Sequence, residues 1–480
     1  MTRGCVQGSA CGPTMWNIIL DELLQTELPE GCHIQAFADD VLMIVTASDV
    51  STLESRTNTA LKTATQWGAG VKLTFGPNKT QLIAFTPKAK TADILMDGTV
   101  LKFTKEIKLL GVILDEKLLF RSHVRYITEK AMRIFQRLCL YVRPTWGAHS
   151  GNVSIIYHGV IEPIITYAAG IWGHAAKKKC NRKTLERAQR GFALRTIKGF
   201  RTVSTTAALA LAQFTPLDLK VLEVANVERT RLLGTTDLLP EDIELEKQTP
   251  VHQLLHPATR ISIPLLLADS QEKADTFIKI DTIAIFTDGS KRETGEVGAA
   301  FICCDPEATV PVIKKKFKLH SSCSVYQAEL FAICRACEWA VAHKYPHTVI
   351  YTDSLSSIKS IQNRSNTHPI ASRIHHVLQQ SLHPIEFVWV KNHVGIAGNE
   401  AADVAAGGAS RLHKAPEYAK FPLTYAKTLY KKDARISWQN RYISAEQGAH
   451  TRKLLPRLEE LLRESSGLYR WWGLKETVVS

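Results

Sequence analysis

No stretch of this 480-residue chain is apolar for long enough to cross a bilayer as a helix, and its first residues carry no apolar signal-peptide core. A disulfide framework is missing as well. Ten cysteines are scattered without paired spacing, which fits a reducing compartment and thiols used as small core residues. Cys334-Arg335-Ala336-Cys337 has CxxC spacing but lies within a helical stretch and has no partner pair, so zinc is not expected there. No cysteine follows Cys337, which excludes a cysteine-based zinc knuckle further on. Acids are outnumbered too: 46 Asp and Glu against 60 Lys and Arg leave a net charge of +14. That charge points to a polyanionic partner, nucleic acid by default and an acidic membrane surface as the alternative. With 45% hydrophobic residues general disorder is excluded. A chain of this length suggests about three domains.

What is present is best read outward from Ile283-Ala284-Ile285-Phe286-Thr287-Asp288-Gly289-Ser290, an apolar, β-branched run that ends on an acid and a glycine. It predicts a buried strand with a carboxylate at its tip. Val297 to Cys303 and Val312 to Phe317 read as two further strands, with Asp305-Pro306 as turn residues, so the three form an antiparallel meander. A helix follows over Ser324 to His343. Its ridge Glu329, Ile333, Cys337, Val341 steps by four, which sets Glu329 in line with residues that face a sheet. A buried charge is costly unless neutralised, and a metal ion does that. Val349-Ile350-Tyr351-Thr352-Asp353-Ser354 repeats the strand-then-acid pattern, and Ile385 to Val390 is another strand. The loop from Asn392 leads into a small-residue helix with Asn399 as the expected N-cap and Asp403 in its first turns.

Asp288, Glu329, Asp353 and Asp403 thus form one candidate constellation. The blocks Thr287-Asp288-Gly289-Ser290, Gln327-Ala328-Glu329-Leu330, Thr352-Asp353-Ser354 and His393-Val394-Gly395 with Asn399-Glu400-Ala401-Ala402-Asp403 resemble type 1 ribonuclease H, in family order, over roughly Ile280 to Ser410. The resemblance implies two magnesium ions, or manganese, that activate a water and stabilise the departing oxygen of a phosphodiester. It implies that Asp288 bridges both ions, that Glu329 and Asp353 complete the leaving-group side, and that Asp403 holds the nucleophile side. His393, on its glycine-flanked loop, is implied to assist proton transfer or product departure. Substrate discrimination in such a site comes from 2′-hydroxyls, so the expected product is cut RNA from an RNA–DNA hybrid.

Upstream, a Gly-rich stretch with Gln7 and Gly8 leads into a helix over Met15 to Leu24. Asp39 and Asp40 then sit between two apolar runs that pair as a hairpin, an arrangement that binds a cation or is a plain turn tip. With Phe75-Gly76-Pro77-Asn78-Lys79-Thr80 and Leu109-Leu110-Gly111-Val112 downstream, these blocks resemble the reverse-transcriptase palm of a non-LTR, LINE-like retrotransposon. The resemblance implies that Gln7 and Gly8 line the incoming nucleotide, Asp39 and Asp40 form the metal-binding hairpin, Lys79 lies in the following lysine block, and Gly111 is in the primer grip. Polymerase chemistry also needs a third carboxylate on an earlier strand, and none of the six residues before Gln7 is acidic. The chain as given is therefore expected not to polymerise DNA.

Helices are expected over Ser51 to Gln66, Leu118 to Val142, Val153 to Trp172, Thr184 to Ile197 and from Pro216 to Leu233. By resemblance this region is thumb and connection, gripping duplex; by periodicity alone it is a helical domain with a solvated basic face. Four prolines between Leu238 and Asp275, with Glu241, Asp242, Glu244 and Glu246, read as a tether. After Ser410, basic residues alternate with Tyr425, Tyr430, Trp438, Tyr442, Trp471 and Trp472. That pattern suits stacking on single-stranded nucleic acid, or helices packing back on the nuclease, the reading favoured by the leucines at 454, 458, 461 and 462.

The expected architecture is a multidomain α/β protein: a truncated palm over residues 1–118, a helical thumb and connection over 119–237, a linker over 238–278, a ribonuclease H domain over 279–410 and a basic, aromatic helical tail over 411–480. The ribonuclease H domain is expected as a mixed five-stranded sheet with flanking helices. The expected function is magnesium-dependent cleavage of RNA in RNA–DNA hybrids, within a retrotransposon Pol polyprotein. The alternatives are a fragment of a longer RNA-directed DNA polymerase and a nucleic-acid-binding remnant without catalysis. Expected partners are hybrid, RNA and DNA, with no membrane and no obligate protein. Mobile-element resemblance implies an intracellular location, nuclear or cytoplasmic.

Overall fold

A computed structural model describes residues 8–458 except 144–145, 260, 279–280, 305–312 and 393. It divides into two compact units, residues 1–168 with 175–199 and residues 169–174 with 200–480. The division departs from the expected one. The helical region expected over 119–237 is split, its first part grouped with the hairpins and the rest with the nuclease.

The first unit is built from hairpins and helices. Helix α1 (Gly12–Leu24) precedes strands β1 (Cys32–Phe37) and β2 (Asp40–Val45), which pair antiparallel with Phe37 opposite Asp40, so the two acids fall at a tight turn as expected. Trp16 Nε1 donates to the turn carbonyl of Ala38 at 2.8 Å. Helix α2 (Val50–Gly70) begins where Asp49 accepts from Thr52 N, and its Ala64 packs with Leu20 and Leu23 of α1 against the inward residues of the hairpin. Two short strands, β3 (Leu95–Met96) and β4 (Thr99–Val100), are followed by the hairpin of β5 (Glu106–Leu109) and β6 (Val112–Asp115). Leu110 and Gly111 both have positive φ, the geometry of a two-residue hairpin turn. Asp115 then accepts from the backbone N–H groups of Lys117, Leu119 and Phe120, turning the chain into α3 (Arg121–Leu138). The expected long helix from 153 is bent: α4 (Ser150–Ile156) and α5 (Glu162–Thr166) flank a wider turn, and α6 (Ala169–Trp172) belongs with the second unit. The basic helix α7 (Lys179–Thr196) packs on α3 where Gly191 leaves room for the Phe135 ring, which a Cβ would meet at 2.7 Å.

The second unit holds the nuclease sheet. Helices α8 (Thr205–Ala212) and α9 (Leu217–Leu233) come first, then the two-residue strand β7 (Glu244–Leu245), β8 (Leu266–Ala268) and the short helix α10 (Gln271–Asp275). The meander is β9 (Thr282–Lys291), β10 (Val297–Cys304) and β11 (Ile313–Leu319); Asp305 and Pro306 lie outside the described residues. Helix α11 (Val325–His343), β12 (His347–Thr352), α12 (Leu355–Gln362), α13 (Pro369–Gln379), β13 (Ile385–Val390) and α14 (Ala397–Ser410) complete the domain.

The sheet has six strands rather than five, in the order β11-β10-β9-β12-β13-β8. The sixth comes from the stretch expected to be a tether: β8 pairs parallel with β13, Leu266 opposite Val388 and Ala268 opposite Val390. Three residues among prolines show no period of their own, so only pairing with β13 makes them a strand. Along β9, Ile283 and Ile285 join a core covered by α11 and α13, while Ala284 and Phe286 join one covered by α14. The tail packs back as expected, but its aromatics rest on α8, α9 and the segment around β7 rather than on the nuclease sheet; Leu458 is buried, Leu454 is exposed, and Leu461 and Leu462 lie outside the described residues. Strand β14 (Lys420–Phe421) pairs with β7, and α15 (Leu423–Ser444) buries Tyr430, Trp438 and Tyr442, ahead of the short α16 (Ala449–Leu454). Arg441 grips the buried Asp218 carboxylate of α9 with two bonds of 2.8 and 2.7 Å. Trp471 and Trp472 lie outside the described residues.

Candidate active site

Three acids reach one point from three elements. Asp288 sits near the end of β9, Asp353 follows the last residue of β12, and Glu329 lies in the second turn of α11. Gly289 is what lets the helix come this close: a Cβ there would lie 2.3 Å from Glu329 N. The start of α11 is fixed by a capping box, with Ser324 Oγ accepting from Gln327 N and Gln327 Oε1 accepting from Ser324 N. Gln327 Nε2 donates in turn to Lys420 O at 3.1 Å, so the whole amide of this motif residue serves structure. Lys291 Nζ donates to Ser321 O and Cys323 O, tying the end of β9 to the turn that enters α11. Thr287 Oγ1 donates to Tyr351 O, which joins β9 to β12 just before their acids.

Asp353 is held from two sides. Trp389 Nε1 donates to its carbonyl at 2.9 Å and Asn399 Nδ2 to its Oδ2 at 3.5 Å. Asn399 is therefore not the N-cap it was expected to be. The helix begins earlier, at Ala397, so Asn399 is inside its first turn, buried and turned toward the acid.

The carboxylate oxygens of Asp288, Glu329 and Asp353 all lie within 4.8 Å of one another. Asp288 is 6% exposed and Glu329 7%, while Asp353 is half-buried. Among the described residues, Asp288 Oδ2 and Glu329 Oε2 have no hydrogen-bond partner. Burial, and then the charges of Asp353 and Asp403, push Asp288 up to about 7. Burial, and then Asp288 and Asp353, push Glu329 well above the usual carboxylate range. Asp403 stands apart from the three, exposed on α14, close enough for its charge to act on Asp288 and Glu329. His393 and Gln7 lie outside the described residues.

The other sequence-derived site residues are not drawn into this cluster. Asp39 and Asp40 are exposed at the β1–β2 turn, and Lys79 is exposed with its backbone N–H on Gly76 O. Gly8 and Gly111 both have positive φ, and the Tyr167 hydroxyl donates to Leu110 O beside Gly111. Of the supporting residues, Ser324-Val325-Tyr326-Gln327 was readable as a capping box; the partners of Asn399, Trp389 and Lys291 carry no sequence signal of their own.

Crowded carboxylates with orphaned buried oxygens are a hard-oxygen donor set, which divalent cations satisfy and hydrogen bonds here do not. A mixed sheet with α11 and α14 on opposite faces and this acid cluster at the strand ends defines a ribonuclease H domain. Residues 281–411 match the family model described as RNase H, and residues 1–114 match the reverse transcriptase (RNA-dependent DNA polymerase) model. Over somewhat less than half of its length the chain is similar to proteins of the type-1 retrotransposable element R1 and of the mobile element jockey.

Among its relatives, a putative 115 kDa protein in the type-1 retrotransposable element R1DM of Drosophila melanogaster is 30% identical over 220 residues, covering 46% of this chain and 21% of that one. A retrovirus-related Pol polyprotein from type-1 retrotransposable element R1 2 of Nasonia vitripennis is 28% identical over 235 residues, covering 48% and 57%. The RNA-directed DNA polymerase from mobile element jockey of Drosophila melanogaster is 24% identical over 200 residues, covering 39% and 22%. The chain thus spans about a fifth of its Drosophila relatives (21% and 22%) and somewhat over half of the wasp protein. Among solved structures, RNase H1 of Halobacterium salinarum is 19% identical with a TM-score of 0.23, over 27% of this chain and 96% of that one.

Proposed function

We propose that the chain is a magnesium-dependent endoribonuclease that cuts the RNA strand of RNA–DNA hybrids, as part of a retrotransposon Pol polyprotein. The observation that carries this reading is the convergence of Asp288, Glu329 and Asp353, with two buried oxygens that find no partner among the described residues. Asp288, Glu329, Asp353 and Asp403 would hold the divalent ions. When bound, such ions lower the pKa of an attacking water and neutralise charge on the leaving oxygen.

The chain's own residues set the terms of that chemistry. Asp288 and Glu329, held protonated more readily than ordinary acids, must give up protons as cations enter, so loading is favoured by rising pH. Asn399 and Trp389 fix the position of Asp353, and Gly289 sets the spacing between Asp288 and Glu329. His393 is proposed to assist proton transfer or product departure. Preference for an RNA strand would come from contacts to 2′-hydroxyls.

Asp39 and Asp40 are proposed as two of the three acids of a polymerase site. RNA-directed DNA synthesis also needs a third carboxylate beside these two.

The test uses the full chain with a labelled RNA–DNA hybrid and magnesium. Internal cuts in the RNA strand are expected, with RNA duplex and DNA duplex left intact. Asp288→Asn is expected to abolish cleavage. Hybrid bound but uncut in either magnesium or manganese would replace this reading with a binding remnant.

A further inference from the structure

The strand and helix that precede the family-matched domain touch the machinery of the site at several points. Helix α14 carries Asn399 and Asp403, yet it opens at Ile396, a residue with no side-chain acceptor. The first N–H groups of a helix need acceptors from elsewhere. Here Gln271 Oε1 accepts from Ala397 N at 3.4 Å. The other end of that amide is tied down, since Gln271 Nε2 donates to Asp275 Oδ1 at 2.8 Å.

The same segment grips both feet of the connection from β13 to α14. At the near foot Lys391 N donates to Ala268 O at 3.2 Å, continuing the β8–β13 ladder; at the far foot stands the Gln271 bond. Beneath them lies a stack. Gly398 of α14 presses on the Phe286 ring, which a Cβ would meet at 2.3 Å. Phe286 stacks on Tyr351 at 4.6 Å, and the buried Tyr351 hydroxyl donates to Ala274 O at 2.9 Å. Phe286 lies two residues before Asp288 and Tyr351 two before Asp353. Ala268 and Ala274 are both fully enclosed in this core.

We infer that residues 266–275 are a working part of the nuclease, with Gln271 a positioning residue that caps α14 from outside the helix and so sets Asn399 and Asp403 against Asp353. The cap lies outside residues 281–411, which match the family model. Gln271 touches neither substrate nor metal; it acts through the helix. This inference rests on the nuclease reading for its kinetic consequence, but not for the cap itself.

The experiment compares full-length variants. Gln271→Ala is expected to speed amide exchange at residues 397–400 by roughly five- to tenfold. It is also expected to lower kcat for hybrid cleavage by roughly the same factor, with KM for hybrid within about twofold. Gln271→Glu combined with Asp275→Asn keeps an acceptor for Ala397 N and a donor–acceptor pair behind it, and returns both readouts to within about twofold of the parent. Exchange is measured without magnesium or hybrid, so a chain that never cleaves would remove the proposed function and leave the cap standing. Unchanged exchange at 397–400 in folded Gln271→Ala overturns the cap. Asp275→Ala, which frees the Gln271 amide to turn, covers the case in which Gln271→Ala does not fold: about twofold to threefold faster exchange is expected, and no change overturns the proposal.

Discussion

At the β1–β2 hairpin, Asp39 and Asp40 stand exposed at a two-residue turn, whereas in the nuclease Asp288 and Glu329 are 6% and 7% exposed. Both sites begin with the same local pattern in sequence, an apolar run followed by an acid. What separates them is what else arrives. The hairpin is a two-stranded sheet, and water solvates its carboxylates. In the nuclease, α11 and β12 bring further acids against β9, water is shut out, and repulsion between carboxylates has no outlet except protons or cations. A charged site capable of chemistry is thus made by convergence, and the tip of one strand is only its raw material.

The comparison breaks most visibly in activity. Glu329→Gln removes one member of the converged set and keeps its shape. Cleavage of a hybrid is expected to fall by at least about a hundredfold, since one ligand of the ion pair is lost. The double variant Asp39→Asn with Asp40→Asn is expected to cleave within about twofold of the parent. Equal losses from the two variants, measured on the same hybrid under the same magnesium, would show that the sites are not independent.

Opposite responses to pH give the next effect. Asp288 is raised from 3.8 to about 7, by burial first and then by its acidic neighbours. Metal-free folded nuclease therefore keeps a proton that the unfolded chain has released. The associated stability is complete below pH 3.8 and is lost as pH rises through 7, at most about 4 kcal/mol. In the first unit, burial lowers His123 from 6.5 to about 4, and its Nδ1 accepts from Ile113 N. There stability is present above pH 6.5 and is lost as pH falls through 4, at most about 3 kcal/mol. Peptide-resolved hydrogen exchange of the metal-free protein should show the nuclease less protected at pH 8 than at pH 5, and the segment around His123 the reverse. Magnesium at pH 8 should restore the nuclease alone. The same trend in both units would contradict the assignment.

How much of this was legible follows the same division between local and converged features. Glu329 and Asp353 could be read because a four-residue helical ridge and a strand tip are local patterns; Asp288 was found by the same reading, although its strand runs on to Lys291 instead of ending at the acid. The hairpin at Asp39 and Asp40 was readable for the same reason. Asn399 was misplaced as a cap because nothing local says that the helix opens at Ala397, with Gln271 far upstream as its acceptor. Leu266–Ala268 was taken for tether because a three-residue strand exists only through its partner. Tyr430, Trp438 and Tyr442 in the tail offered two readings, and burial against α8 and α9 separates them from a stacking surface.

A pair of glycines sharpens the contrast at smaller scale. Gly289 has no room: a Cβ would come within 2.3 Å of Glu329 N and 2.6 Å of Ala328 C, both backbone atoms that cannot swing aside. Gly289→Ala is expected to push α11 off β9 and cost the nuclease about 3 kcal/mol, with cleavage lost through the displaced Glu329. Gly111 has room, its Cβ position lying 3.4 Å from the Tyr167 ring, but its φ is +84°. Gly111→Ala therefore meets backbone strain alone, about 1 kcal/mol, felt in the first unit with hybrid cleavage unchanged. Urea melts resolved by unit, run beside the cleavage assay, separate the two. If Gly111→Ala lowered cleavage as much as Gly289→Ala does, the β5–β6 hairpin would have to be counted among the determinants of the nuclease site, and burial by convergence would no longer mark where that site ends.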